Sequence, residues 1–77
     1  PALSRKEFDV IELLYKHQGD AVSRDGIAQV GWAERADGDV GNQEIEQCIR
    51  RIRRRIEPDP NNPQYVITVR GYGFKTP

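Results

Sequence analysis

With 77 residues the chain is long enough for one domain, and its 36% hydrophobic and 31% charged residues exclude a disordered segment. A formal net charge of zero excludes a chain that is basic throughout, and the single cysteine, Cys48, excludes a disulfide framework or a multi-cysteine zinc site. No apolar run reaches membrane-spanning length, so we expect no membrane contact. A single cysteine is compatible with a reducing compartment, and we expect one globular cytoplasmic domain, residues 1–77, with no metal or cofactor.

The first predicted helix begins after Ser4 and runs to about His17. Ser4 and Glu7 have the spacing of a capping box, in which each side chain accepts a hydrogen bond from the backbone amide of the other residue. Gly19 supplies the stop signal. The side chains that we expect to face the core are Phe8, Ile11, Leu14 and Tyr15.

A second helix is predicted to begin at Ser23, a residue that favours the N-cap position. Asp25 falls in its first turn, where a negative charge suits the positive end of the helix dipole. We expect this helix to bring Ile27, Val30 and Trp32 into the core.

Residues 33–41 show no apolar periodicity and contain glycine, so they are predicted to form a loop. Asn42 is predicted to cap the third helix. That helix ends before Pro58, because the residue preceding a proline avoids helical geometry. Residues 58–63 follow as a connector rich in turn-forming residues.

The third predicted helix has an apolar side and a cationic side. Isoleucine recurs at steps of four, three and four residues, at Ile45, Ile49, Ile52 and Ile56, while five arginines lie within residues 50–55. At about 100° per residue, the isoleucines form one inward stripe. The residues that then point outward are Gln43, Gln47, Arg50, Arg51 and Arg54, with Arg53 and Arg55 flanking the stripe.

Charge is distributed unevenly along the chain. Residues 1–39 carry five Lys or Arg against eight Asp or Glu, a net −3, whereas residues 40–77 carry seven against four, a net +3. The local concentration of charge matters more for a binding surface than the total. A helix packed through one side and cationic on the other predicts a polyanionic partner, and duplex DNA is the expected one.

The end of the chain predicts a β-hairpin. Residues 65–69 are β-branched and aromatic, as strands prefer, residues 70–73 form a turn, and Phe74 and Lys75 return as a second short strand. A three-helix bundle with a C-terminal β-hairpin wing is the winged helix-turn-helix arrangement, of the α+β class.

Two stretches of the sequence, residues 49–60 and residues 68–74, closely resemble the DNA-binding effector domain of OmpR/PhoB-type response regulators. The first is the arginine-rich helix with its Glu-Pro-Asp-Pro end, and the second reads Thr-Val-Arg-Gly-Tyr-Gly-Phe. The resemblance extends upstream through residues 22–25 and Trp32 to the start of the first helix. Members of that family usually carry a four-stranded sheet ahead of the first helix, and here almost nothing precedes Leu3.

The resemblance implies sequence-specific binding of double-stranded DNA by a bacterial transcription regulator of a two-component system. The third helix would enter the major groove and the wing would reach the minor groove. Because the chain starts at proline rather than methionine, we expect it to be a fragment of a longer protein. We also expect a homodimer, or tandem half-sites, on DNA.

The resemblance also assigns roles to residues of the third helix. Gln47 and Arg51 match positions that approach bases, Arg50 and Arg53 match phosphate contacts, and Arg54 touches phosphate or stays in solvent. At the wing, Arg70 suits a narrow, A·T-rich minor groove. The complete set of expected DNA-binding residues is Gln43, Gln47, Arg50, Arg51, Arg53, Arg54, Thr68, Arg70 and Lys75.

Other interpretations of the same residues remain open. Glu44, Glu46 and Glu57 could pair with neighbouring arginines, so that the charges form only a solvated helix face. Arg53 and Arg55 could fold over the edge of the core. Residues 33–41 match a family loop that can touch RNA polymerase, or they are a solvated connector.

Other functions are also compatible with the sequence. The domain could be a protein-interaction winged helix that grips an acidic partner, or a regulatory appendage of a larger multidomain protein. No paired acids, activated nucleophile or metal-ligand set is recognisable, so we expect no enzymatic activity.

Overall fold

The computed structural model describes residues 2–35 and 40–77, and within them it contains three helices and three short strands. The elements are α1 (Arg5–Lys16), β1 (Val22–Ser23), α2 (Arg24–Gly31), α3 (Asn42–Ile56), β2 (Ile67–Val69) and β3 (Gly73–Lys75). This is the α+β arrangement of three helices and a C-terminal wing that the sequence predicts.

The start of α1 is the predicted capping box. The Ser4 hydroxyl accepts from the backbone amide of Glu7 at 3.2 Å, and the Glu7 carboxylate accepts from the amide of Ser4 at 3.0 Å. The helix ends at Lys16, and Gly19 follows with a φ of +90°, a conformation that side chains disfavour. Both ends of α1 are therefore where the sequence predicts them.

The side of α1 that faces the core differs from the prediction. Val10 and Leu14 are fully buried, whereas Phe8 is 46% exposed and Tyr15 is 67% exposed, so the inward assignment of both aromatic residues is wrong. Apolar residues occupy most of the circumference of α1, so its sequence is compatible with either of two apolar stripes facing the core. Gly31 of α2 leaves room for the stripe that contains Val10, because a Cβ at Gly31 would lie only 3.0 Å from Cγ2 of Val10.

The helix α2 begins as predicted, with the Ser23 hydroxyl accepting from the amide of Gly26 at 3.0 Å. Ile27 and Trp32 are buried, as expected, but Val30 is 36% exposed and its inward assignment is wrong. The buried side of α2 is formed by Ile27, Ala28 and Gly31. At about 100° per residue, Val30 points away from the middle of that side.

The long helix α3 begins one residue earlier than predicted. Gly41, rather than Asn42, is the N-cap residue, and its amide donates to the Glu44 carboxylate at 3.3 Å. The sequence predicted that the side chain of Asn42 would cap this helix. Instead, the Glu44 side chain accepts from a backbone amide at the helix start that would otherwise lack a partner. The helix ends at Ile56, with Glu57 as the C-cap before Pro58, as predicted. Of the predicted loop 33–41, residues 36–39 lie outside the described residues.

The wing contains a strand that the sequence did not indicate. The sheet order is β1-β3-β2, with both pairs antiparallel, and Phe74 pairs with Val22 on one side and with Thr68 on the other. The strand β1 has only two residues, too few for an alternating pattern to predict. The predicted strand over residues 65–69 is shorter than expected, because β2 begins at Ile67.

The hydrophobic core lies between the three helices and the inner side of the wing. Ile49, Ile52 and Phe74 are fully buried, which confirms the isoleucine stripe and places the wing over the helices. The buried apolar residues are Val10, Leu14, Ile27, Ala28, Trp32, Ile45, Cys48, Ile49, Ile52, Val66 and Phe74.

Two wing glycines should differ in their tolerance of alanine. Gly71 has a φ of +75° and open space around it, so Gly71→Ala should cost about 1–2 kcal/mol of backbone strain. A Cβ at Gly73 would lie 1.9 Å from the carbonyl oxygen of Val22, so β1 would have to move. Urea denaturation should show a larger loss for Gly73→Ala than for Gly71→Ala, and equal losses would contradict the described packing of β1 on β3.

Candidate nucleic-acid interface

Five residues of α3 form an outward row that we call the arginine face. All five are exposed, and they lie opposite the buried isoleucines Ile45, Ile49 and Ile52. The members of the arginine face are Gln43, Gln47, Arg50, Arg51 and Arg54. The structure therefore presents to solvent the five side chains for which the sequence predicts an outward position.

The acidic residues of α3 do not neutralise this face. Glu44 forms two hydrogen bonds of 2.8 Å with Arg35, and Glu46 accepts from Arg24 at 2.5 Å. The Arg35 hydrogen bonds hold the pKa of Glu44 below its usual value. Both partners lie outside α3, so these two carboxylates pair away from the arginine face.

Three guanidinium groups of the arginine face have no internal counterion in the described structure. Within residues 2–35 and 40–77, Arg50, Arg51 and Arg54 form neither an ion pair nor a side-chain hydrogen bond. Arginine always carries its charge at neutral pH and presents five donors in a planar fork. This face can therefore offer several charged donors to an external anion.

The two arginines that flank the stripe are used within the domain. Arg53 donates from Nε and Nη2 to the carbonyl oxygen of Val66, at 3.1 and 2.9 Å, and from Nη2 to the Thr68 hydroxyl at 2.9 Å. Arg55 forms an ion pair of 3.3 Å with Glu7 and donates to the backbone of residue 2. Both side chains thus fold back onto the domain, as their angle on the helix indicates.

A cleft of about 350 Å³ lies between the C-terminal half of α3 and the connector that follows it. Its lining residues are Glu46, Arg50, Arg53, Arg54, Pro60, Asn61 and Pro63. Three arginines and an amide line this cleft together with one carboxylate, that of Glu46, which is bonded to Arg24, so positive charge exceeds negative charge and suits an anionic group such as a phosphate. Asn61 did not stand out in the sequence, because the turn residues of the connector carry no charge pattern.

The wing carries a second group of exposed polar side chains. The Tyr72 amide donates to the Val69 carbonyl at 3.0 Å and closes the turn, so exposed Arg70 lies at its tip. Thr68 is exposed and Lys75 is half-buried. Tyr72 is 53% exposed next to this tip, a neighbour for Arg70 that sequence reasoning missed.

Arg24 connects the start of α2 with α3 and the wing. Its guanidinium bonds Glu46 and lies 5.0 Å from the centre of the Phe74 ring, close enough for a cation–π interaction. Its backbone amide donates to the Tyr72 carbonyl at 3.4 Å. Arg24 is therefore one of the residues that connect the helix-turn-helix pair with the wing.

Cys48 lies on α3 but does not belong to the arginine face. It is 3% exposed within the core, as the sequence predicts for a small packing side chain. Burial, followed by the negative charge of Glu7, raises the pKa of the Cys48 thiol. The thiol form is therefore favoured at neutral pH.

Within residues 2–35 and 40–77 there is neither a cluster of metal-ligating side chains nor a helix suited to span a membrane. No group of three or more His, Cys, Asp or Glu side chains is placed there to hold a metal ion. None of the helices there combines the length and the apolar character needed to cross a membrane.

Comparisons with known proteins agree with this geometry. The family described as "Transcriptional regulatory protein, C terminal" matches residues 1–76. The response regulator DrrB of Thermotoga maritima, an OmpR/PhoB homolog, superposes with a TM-score of 0.84 at 32% identity, over 97% of this chain and 33% of DrrB. The chain thus spans about a third of the length of DrrB.

A second solved structure is the Klebsiella pneumoniae RstA DNA-binding domain in complex with the RstA box. It superposes with a TM-score of 0.80 at 27% identity, and the match covers 97% of this chain and 72% of the RstA chain. Both structures thus share their fold with nearly all of this chain.

The burial of Cys48 predicts slow chemical modification. A thiol reagent such as iodoacetamide should label the native protein far more slowly than the urea-unfolded protein, because only an accessible thiolate can attack the reagent and displace its iodide. Mass spectrometry over time measures both rates. Similar rates in the two states would contradict the packing of this side of α3 against the core.

Proposed function

The chain belongs to the OmpR/PhoB-type family of C-terminal domains of transcriptional regulatory proteins, and we propose that it binds duplex DNA to regulate transcription. This family consists of DNA-binding regulators and not of enzymes, in agreement with the sequence. The observation that carries the proposal is the arginine face, where Arg50, Arg51 and Arg54 are exposed without internal counterions in the described structure. The RstA structure supports it, since that relative is in complex with DNA.

In this proposal α3 enters the major groove with the arginine face against the bases. The groove is about 12 Å wide and accepts a helix with its side chains. Arg51 pairs with guanine O6 and N7, and Gln47 pairs with adenine N6 and N7. Both side chains are exposed on the outer half of α3, which gives them access to base edges. They provide the sequence preference.

The remaining residues of the arginine face, together with Arg53 beside it, bind the sugar-phosphate backbone of the DNA. Arg50, Arg53 and Arg54 line one cleft, where a phosphate would meet three guanidinium groups. Arg53 can take part through Nη1, since its hydrogen bonds to the wing use Nε and Nη2. Gln43 approaches the backbone near the first turn of α3.

The wing makes the second contact, in the adjacent minor groove. Arg70 at the exposed tip enters a narrow A·T-rich segment, whose negative potential attracts a guanidinium group. Thr68 and Lys75 bind phosphates beside that segment. The Thr68 hydroxyl accepts from Arg53, so its proton remains available for a phosphate oxygen.

Residues 1–77 then act as a single DNA-binding domain of a longer response regulator. One domain has a small contact area, so homodimers on half-sites about one helical turn apart would raise the affinity. Residues 33–41 would contact RNA polymerase.

The salt dependence of binding to random duplex DNA tests the proposal. Each phosphate contact should contribute a slope of about −0.9 to log K against log salt, so the affinity should fall steeply between low and high salt. Fluorescence anisotropy with a labelled duplex measures this slope. No binding at low salt, or a flat dependence, would favour a protein partner over DNA.

Two alanine variants separate base contacts from phosphate contacts. Arg51→Ala should cost about 1–3 kcal/mol on a duplex selected from a random library and much less on a scrambled duplex. Arg50→Ala should weaken binding to both duplexes equally and reduce the salt slope by about 1. Lys16→Ala, which removes an exposed charge from α1, is the control. Equal loss of discrimination in both variants would contradict the division of roles.

A further inference from the structure

A buried carboxylate stands at the junction between α3 and the wing. Glu57 is 7% exposed, and its oxygens accept from the backbone amides of Gln64 at 2.7 Å, Tyr65 at 3.0 and 3.2 Å, and Val66 at 2.8 Å. These three amides precede β2, so no β-ladder pairs them. One side chain therefore orders the segment that leads into the wing.

The location of this acid is unusual for helix stability. Glu57 is the C-cap of α3, where the helix dipole favours a cation over an anion. Its hydrogen bonds in the described structure are made with backbone amides and not with any of the neighbouring arginines. A buried charge is tolerated because several N–H groups solvate it. The residue thus serves the connection between α3 and the wing rather than α3 itself.

A second tie joins the same two elements. Arg53, one turn before Glu57 on α3, binds the carbonyl oxygen of Val66 through Nε and Nη2. Val66 is fully buried, and its amide donates to Glu57. Glu57 therefore accepts from the N–H of Val66, and Arg53 donates to its C=O. Together these hydrogen bonds restrict both the position and the rotation of the strand that follows.

Glu57 and Arg53, which we call the anchors, hold Val66 in place, and the wing tip lies only a few residues further along the chain. The strand β2 begins at Ile67, next to Val66, and ends at Val69, next to Arg70. By contrast, residues 57–66 contain no helix or strand that could set the distance between α3 and the wing. The anchors supply that constraint.

We propose that Glu57 and Arg53 are positioning residues that fix the spacing along the duplex between the bases read by α3 and the minor-groove segment reached by Arg70. This inference rests on the proposed function. A fixed spacing lets both contacts form without ordering the connector upon binding, so the entropic cost of the second contact is small. A duplex with the wrong spacing then loses one of the two contacts.

The distance between the major-groove sequence and the minor-groove A·T segment can be varied in the DNA. Duplexes carry the selected major-groove sequence and an A·T segment at the selected distance, or shifted by one base pair in either direction. Each shift moves the segment by about 3.4 Å along the axis. The wild-type protein should bind the shifted duplexes about tenfold more weakly, as expected for the loss of one specific contact.

The ratio of the affinity for the selected duplex to the affinity for a shifted duplex is thus about ten for the wild-type protein. Glu57→Gln should reduce this ratio to about twofold. The substitution keeps the shape of the side chain, but one accepting oxygen becomes an NH₂ group that opposes the backbone amides. Glu12→Gln is the matched control, because it removes the same charge from an exposed carboxylate of α1 and should keep the wild-type ratio.

The ratio separates positioning from stability. A variant that is only destabilised has a smaller folded fraction, which weakens binding to every duplex by the same factor and leaves the ratio unchanged. If Glu57→Gln does not fold, as judged by circular dichroism, Arg53→Lys replaces it. Lysine keeps the charge but lacks the planar fork that holds Val66 and Thr68, so the ratio should again fall.

Several outcomes would overturn the inference. A folded Glu57→Gln or Arg53→Lys protein that keeps the tenfold ratio shows that the anchors do not set the spacing. The inference is also overturned if the wild-type protein binds all spacings equally well. It is likewise overturned if the Arg70→Ala variant keeps the spacing preference. Both results leave DNA binding itself intact. Failure of the wild-type protein to bind any duplex contradicts the proposed function itself, and the inference with it.

Discussion

The burial of the isoleucine stripe of α3 is the constraint on which the rest of the structure depends. Ile45, Ile49 and Ile52 are each at most 2% exposed, and burying such a side chain contributes about 1.5–3 kcal/mol. Rotating α3 would expose all three together, since they lie on one side of the helix. The same periodicity then directs the arginine face outward, so packing inside the domain determines which charges meet a partner.

Ion pairing explains how a chain of zero net charge presents a cationic surface. Glu44, Glu46 and Glu7 bond arginines on other elements, or on the flank of α3, and none of them bonds a member of the arginine face. These pairs tie α1, α2 and the loop after α2 to α3. Internal pairing therefore leaves the guanidinium groups of the arginine face without bonded carboxylates in the described structure, while it also ties α3 to its neighbours.

Features with a local cause could be predicted from the sequence, and features with a long-range cause could not. The capping box of α1, the extent of α3 and the outward position of Arg51 follow from spacing within single helices. The inward side of α1 depended on Gly31 of another helix, and β1 was too short to show a pattern. The hydrogen bonds of Glu57 were missed because its partners are backbone amides, which no side-chain pattern predicts.

In the proposed complex, the arginine face and the wing tip contact the duplex together. Nuclear magnetic resonance of the ¹⁵N-labelled protein, titrated with the selected duplex, tests this most directly. We expect the largest shifts in the arginine Nε–Hε and backbone signals of residues 43–54 and 68–72, while Tyr15 on the exposed side of α1 remains unchanged. Shifts concentrated around Tyr15, with the signals of Arg50, Arg51 and Arg70 unaffected, would contradict the account.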